Sequence, residues 1–116
     1  MTYDEFNTFC SNLPATTHVI QWSRSDVWKV GGKVFAIGNW QTDAPAIIFK
    51  TSDILYEILR DAAGYRPAPY FASRGMKWIQ RTDLTGAMED GFAEYLEASY
   101  ELVVAGLPKR VLGALV

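Results

Sequence analysis

Two consecutive glycines, Gly31 and Gly32, interrupt a chain that is otherwise β-rich on both sides, "DVWKV" before and "KVFAIGNW" after. Two adjacent residues free to take positive φ are what a tight hairpin turn needs, so the segment predicts two antiparallel strands. Beyond the turn-forming "QTDAP" comes "AIIFK", a short run with apolar residues at successive positions. Such a run suits a strand buried on both faces, so it is expected near the middle of its sheet. The hairpin therefore commits the chain to a sheet, and the remaining residues must cover it.

The flanking segments change period from two to 3.6. Thr2 and Glu5 form T-x-x-E, a capping box, and Phe6, Phe9, Cys10 and Leu13 follow as one apolar stripe that Pro14 ends. Thr51 or Ser52 is expected to cap a second helix with the stripe Leu55, Ile58, Leu59 and Ala62, stopped by Gly64. Pro67 and Pro69 confine Arg66 to Ala72 to an extended edge or loop, after which "MKWIQRT" resumes as a strand. In that strand Lys77, Ile79 and Arg81 project to one side, Met76 and Trp78 to the other. A long amphipathic helix is predicted from about Met88 to Ala105, packed by Phe92, Leu96 and Val103, and Pro108 opens a last short helix through Leu112 and Leu115. Hairpin-joined strands flanked by helices, without regular βαβ alternation, give an α+β, two-layer fold with an antiparallel sheet.

A chain of 116 residues suits one domain, 1–116. It holds no apolar run of about 18 residues that would span a bilayer, and "MTYDEFNTFC" lacks the basic start and apolar stretch of a signal peptide, so a cytoplasmic protein without a membrane partner is expected. The single cysteine fits a reducing compartment. Cys10 falls on the apolar stripe of its helix and reads as a small core hydrophobe. His18 is the only histidine. One His and one Cys make a zinc site or a His-based catalytic constellation improbable, and no phosphate-cradling glycine motif is present. The expectation is a non-enzymatic protein with no catalytic residues, no metal and no cofactor.

Charge is unevenly spread. Residues 24–81 hold nine of the eleven Lys and Arg against five acids, whereas residues 82–106 hold six acids and no base, within a net charge of -2. Glu89, Asp90, Glu94, Glu97 and Glu101 recur at helical spacing opposite the apolar stripe, as a solvated face. "YRPAPYFASRGMKWIQR", by contrast, carries four bases and no acid among its aromatics. The candidate anion-binding residues are Lys29 and Lys33 around the glycine turn, with Arg66, Arg74, Lys77 and Arg81 in the second segment. A one-signed run interleaved with aromatics suits an anionic, flat-faced partner.

The ordered set "VWKVGGKVFA", "IIFKTS", "RPAPYFASRGMKWIQ" and "SYELVVAGLPKR" resembles the MmcQ/YjbR family of small bacterial proteins over nearly the whole chain. The resemblance implies an α+β fold similar to that of secretion chaperones, with two hairpin-like wings and a proposed DNA-binding role, and no enzyme activity or cofactor. The first wing would run from Trp28 to Ala36 and the second from Pro67 to Gln80. Two partners follow: duplex DNA, gripped weakly and without sequence preference by the basic wings, or a protein or small anionic ligand bound without DNA affinity. Oligomeric state is not legible.

Overall fold

A computed structural model describes residues 2–21, 24–39, 46–82, 84 and 91–114. The chain runs α1 (Tyr3–Asn12), β1 (Thr16–Gln21), β2 (Ser25–Val30), β3 (Lys33–Gly38), β4 (Ile47–Lys50), α2 (Asp53–Leu59), β5 (Tyr65–Pro67), a 3₁₀ turn (Ala72–Arg74), β6 (Trp78–Arg81), α3 (Phe92–Ala105) and α4 (Lys109–Ala114). The strands form one sheet in the order β1-β2-β3-β4-β6-β5, antiparallel at every step. This is the α+β architecture read from the residues, with β4 in the sheet interior. The strand β1 was not anticipated, and the Met88–Asp90 start expected for α3 and Leu115 of α4 lie outside the described residues.

Local chemistry explains the element ends. Thr2 and Glu5 make both halves of the capping box at α1, and Ser52 rather than Thr51 caps α2 by accepting from the Leu55 amide. Thr51 instead hydrogen-bonds through its amide and hydroxyl to the Lys77 carbonyl. Gly31 and Gly32 take φ of +58° and +79°, the left-handed pair the hairpin needs. Gly38 has a different reason: a Cβ there would lie 2.1 Å from the Tyr3 hydroxyl, so only glycine lets α1 close on the sheet.

Helices cover one face. Phe6 and Cys10 of α1, Tyr56 and Leu59 of α2, and Phe92, Leu96 and Val103 of α3 meet Trp28, Val30, Phe35, Phe49 and Ile79. Tyr3 donates to Asp26, and the Trp28 indole donates to Asn7 at 2.8 Å, fixing α1 to β2. The other face holds Val27, Ile37, Ile48 and Trp78, onto which the β5–β6 connection folds Ala68 and Phe71. α2 departs from its expected stripe: Ile58 is 61% exposed and Ile54 77%, because Tyr56 and Leu59 supply the buried contacts and α2 ends at Leu59.

Between β2 and β3 the register shifts, so that Trp28 faces Ala36 while Lys29 faces Val34. The extra residue, Phe35, is a β-bulge, and it lets Phe35 and Ala36 both join the helix-side core. Beside the bulge the β3–β4 pairing stops at Ala36 and Phe49, one residue short of Phe35 and Lys50, whose facing backbone groups need another partner. Ser99 of α3, fully buried, takes them up: its hydroxyl donates to the Phe35 carbonyl at 2.7 Å and accepts from the Lys50 amide at 2.9 Å.

Ser99→Ala leaves both backbone groups unpaired in the core and should lower unfolding free energy by about 1–3 kcal/mol in urea denaturation. Phe92→Ala, which removes a ring packed edge-on against Phe49, should cost about 3–5 kcal/mol; a loss under about 1 kcal/mol would contradict its burial. Cys10 is buried, and desolvation pushes its thiol well above the usual range. A thiol reagent near neutral pH should therefore leave the native protein unmodified and label one thiol per chain once it is denatured.

Candidate nucleic-acid interface

Topology decides where the bases gather. From β2 through β3, β4 and β6 to β5 there are four antiparallel steps, so β2 and β5 point the same way. Their turns, Gly31-Gly32 and the 68–77 connection, therefore lie at one end of the sheet. β4 runs in that direction too and brings Lys50 to the same end between them. The C-terminal end of α3 also arrives there, since Leu107 and Val111 pack where a Cβ on Gly31 would sit.

A cleft of about 440 Å³ opens between the two hairpins. Lys33, Val34 and Ile37 line it from the first, Phe71, Met76 and Trp78 from the second, with Lys50 between and the stretch from Leu102 to Leu107 behind. Phe71 lies stacked on Trp78, with the ring centroids 5.1 Å apart. A second cleft of about 290 Å³ adjoins it, lined by Thr51, Ser52, Leu55, Ala98, Glu101 and Ala105, and shares Lys50 and Leu102 with the first.

The six bases singled out from sequence fare differently. Lys29 is half-buried and Lys33 exposed, both on the first hairpin. Arg74 and Lys77 are exposed at the tip of the second, Arg74 with its guanidinium 5.3 Å from the Tyr70 ring centroid, Lys77 with its ammonium 4.7 Å from that of Tyr56. Arg66 lies away from the tip, exposed, its Nε donating to the Gln80 side chain at 2.7 Å. Arg81 is a correction: at 4% exposure, it places its guanidinium 5.0 Å from both the Tyr65 and Phe92 rings and donates to the Tyr65 hydroxyl. It shares the helix-side face with Ile79, at the end of β6 opposite Lys77, and serves the core.

Three bases escaped the sequence reading. Lys50 was counted only as the end of a strand, yet it stands between both clefts. Lys109 and Arg110 begin α4, exposed, beside the first hairpin. Coming just after α3, they offset the negative end of its dipole. Among the described residues neither Lys33 nor Lys50 is held in an ion pair. The acids keep mostly apart: Glu94 and Glu97 are exposed on α3, away from its buried Phe92, Leu96, Ser99 and Val103, while Glu101 lines the second cleft.

No catalytic signature accompanies this site. His18 sits on β1, its Nε2 2.7 Å from Asp26 and its ring 4.6 Å from that of Trp28, a structural pairing at the other edge of the sheet. Among the described residues no group of three or more His, Cys, Asp or Glu could hold a metal ion. Among them, too, no helix is long and apolar enough to cross a membrane.

Comparison with known proteins agrees with this geometry at the level of fold. A crystal structure of the Deinococcus radiodurans protein DR2400 is similar with a TM-score of 0.81 at 23% identity, covering 98% of this chain and 87% of that one. No curated protein matches. The YjbR family model matches residues 11–102, from the end of α1 through most of α3, and so takes in the six strands and both hairpins. The chain belongs to the YjbR family.

Proposed function

We propose that this protein is a binding module that holds nucleic acid at the end of the sheet where its two hairpins meet. The observation that supports this reading is the convergence of Lys33, Lys50, Arg74 and Lys77 on one end of a protein whose net charge is -2. These bases come from three separate places in the chain, the first hairpin, the end of β4 and the 68–77 connection, and are brought to one end by the fold. Phosphate contacts of this kind position a polyanion and carry no sequence information, so the binding is non-specific and weak, about micromolar or weaker at physiological salt. Arg81 takes no part, and Lys29, Lys109 and Arg110 stand near enough to add to the local potential. The apolar cleft between the hairpins supports a second reading, a small anionic ligand with an apolar body, because its volume falls in the range of about 300–1,000 Å³ common to ligand sites.

The two readings separate in a salt titration. With four phosphate contacts to duplex DNA, log K should fall against log salt with a slope near -3.6, about -0.9 for each contact. Lys33→Ala combined with Lys77→Ala should flatten that slope by about two units. Both side chains are exposed, so circular dichroism of the double variant should match that of the parent protein. Identical titrations of parent and variant, or no binding of either duplex or single-stranded DNA at low salt, would remove the nucleic-acid reading and leave the ligand site.

A further inference from the structure

We infer that the nucleic acid taken here is single-stranded, with unstacked bases in the two clefts and the intervening phosphate on Lys50. The inference rests on the reading of the hairpin end as a nucleic-acid site and adds the form of the strand. Three features of the geometry carry it.

The first is the character of the clefts. A duplex keeps its base faces stacked and offers phosphates and groove edges, so lysines alone would serve it. The cleft between the hairpins is walled by Val34, Phe71, Met76, Trp78 and Leu107, and such a surface gains nothing from a phosphate. An unstacked base has an apolar face that does gain from leaving water, and sites for single strands combine such faces with flanking positive charge.

The second is spacing along the groove. Two apolar clefts lie side by side with Lys50 common to both, which reproduces the order base, phosphate, base. Lys33 on the rim of the first cleft extends the positive path on that side, and Lys77, whose backbone carbonyl accepts from Thr51 of the second cleft, holds its ammonium over the neighbouring Tyr56 ring. Lys33 and Lys50 are in no ion pair among the described residues, so no protein carboxylate there has to be displaced before a phosphate arrives.

The third is the polar equipment of the second cleft. Glu101 would repel a phosphate, but its carboxylate accepts hydrogen bonds from the exocyclic amino group of a base, as carboxylates do with cytosine. Ser52 and Thr51 add hydroxyls on the same side. Leu55, Ala98 and Ala105 provide the apolar remainder.

Fluorescence anisotropy with a labelled oligo-dC, whose bases carry the exocyclic amino group that Glu101 can accept from, and a duplex of the same length, at one low salt concentration and slightly alkaline pH, tests the inference. The single strand should bind at least about tenfold more tightly than the duplex. Met76, 39% exposed, can be shortened without disturbing the core. Met76→Ala should weaken single-strand binding by about fivefold or more and change duplex binding by less than about twofold. If the duplex binds as tightly as the single strand, the inference falls while the hairpin site survives. A preferred single strand that Met76→Ala leaves untouched, or a loss equal for both, places the bases outside the clefts and also overturns it. No binding of either substrate defeats the underlying site as well.

Discussion

The hydroxyl of Ser99 is the point on which the arrangement of this protein turns. The bulge at Phe35 widens the apolar surface that β3 gives to the helices, and beside it the β3–β4 pairing stops at Ala36 and Phe49, which leaves the Phe35 carbonyl and the Lys50 amide unpaired with each other. Buried backbone groups in that condition are costly, and a single side chain that both donates and accepts satisfies two of them. Ser99 thereby fixes the depth and the axial position of α3 over β3 and β4. Because α3 is fixed there, its last turn reaches Gly31, and Leu102 and Leu107 become walls of the clefts. The site is thus a product of how a helix meets an irregular sheet and not of any local motif.

That origin explains what could be read in advance. The hairpin, the two capped helices and the buried face of α3 were legible because each follows from neighbours a few residues apart. β1 was missed although "TTHVIQ" is rich in β-branched residues, since its half-exposed edge position leaves no clean alternation of apolar and polar residues. Ile58 was assigned to the core because a helical stripe was traced through it; the observed helix is shorter and its buried side is set by Tyr56. Arg81 was misjudged for a more general reason. In a period-two strand it shares a face with Ile79, and that face is the helix side, where Tyr65 and Phe92 receive the guanidinium. Parity placed it correctly with respect to its neighbours and said nothing about which face was dry.

The candidate site shows the same division. That Lys33 follows a turn was evident from the two glycines, whereas Lys77, expected within a strand, ends the connection before β6; that the two hairpin turns lie together follows only from the strand order, in which β6 enters between β4 and β5. Lys50 could not be recognised from sequence, being one base at the end of a hydrophobic strand. Its significance comes from two clefts that no segment of the chain defines alone.

An acidic protein can present such a site because electrostatics is local in salt water. At physiological ionic strength the screening length is about 8 Å, so an anion at the hairpin end responds to the bases around it and little to carboxylates beyond that range. Glu94 and Glu97 face solvent on α3, and the net charge of -2 is an average over regions an approaching ligand does not sense together. The exception is Glu101, which shares the second cleft with Lys50. A carboxylate in that position disfavours a continuous run of phosphates and favours a partner that alternates charge with hydrogen-bond donors. Nucleic acid with its bases turned outward has that alternation, whereas a uniformly anionic surface does not.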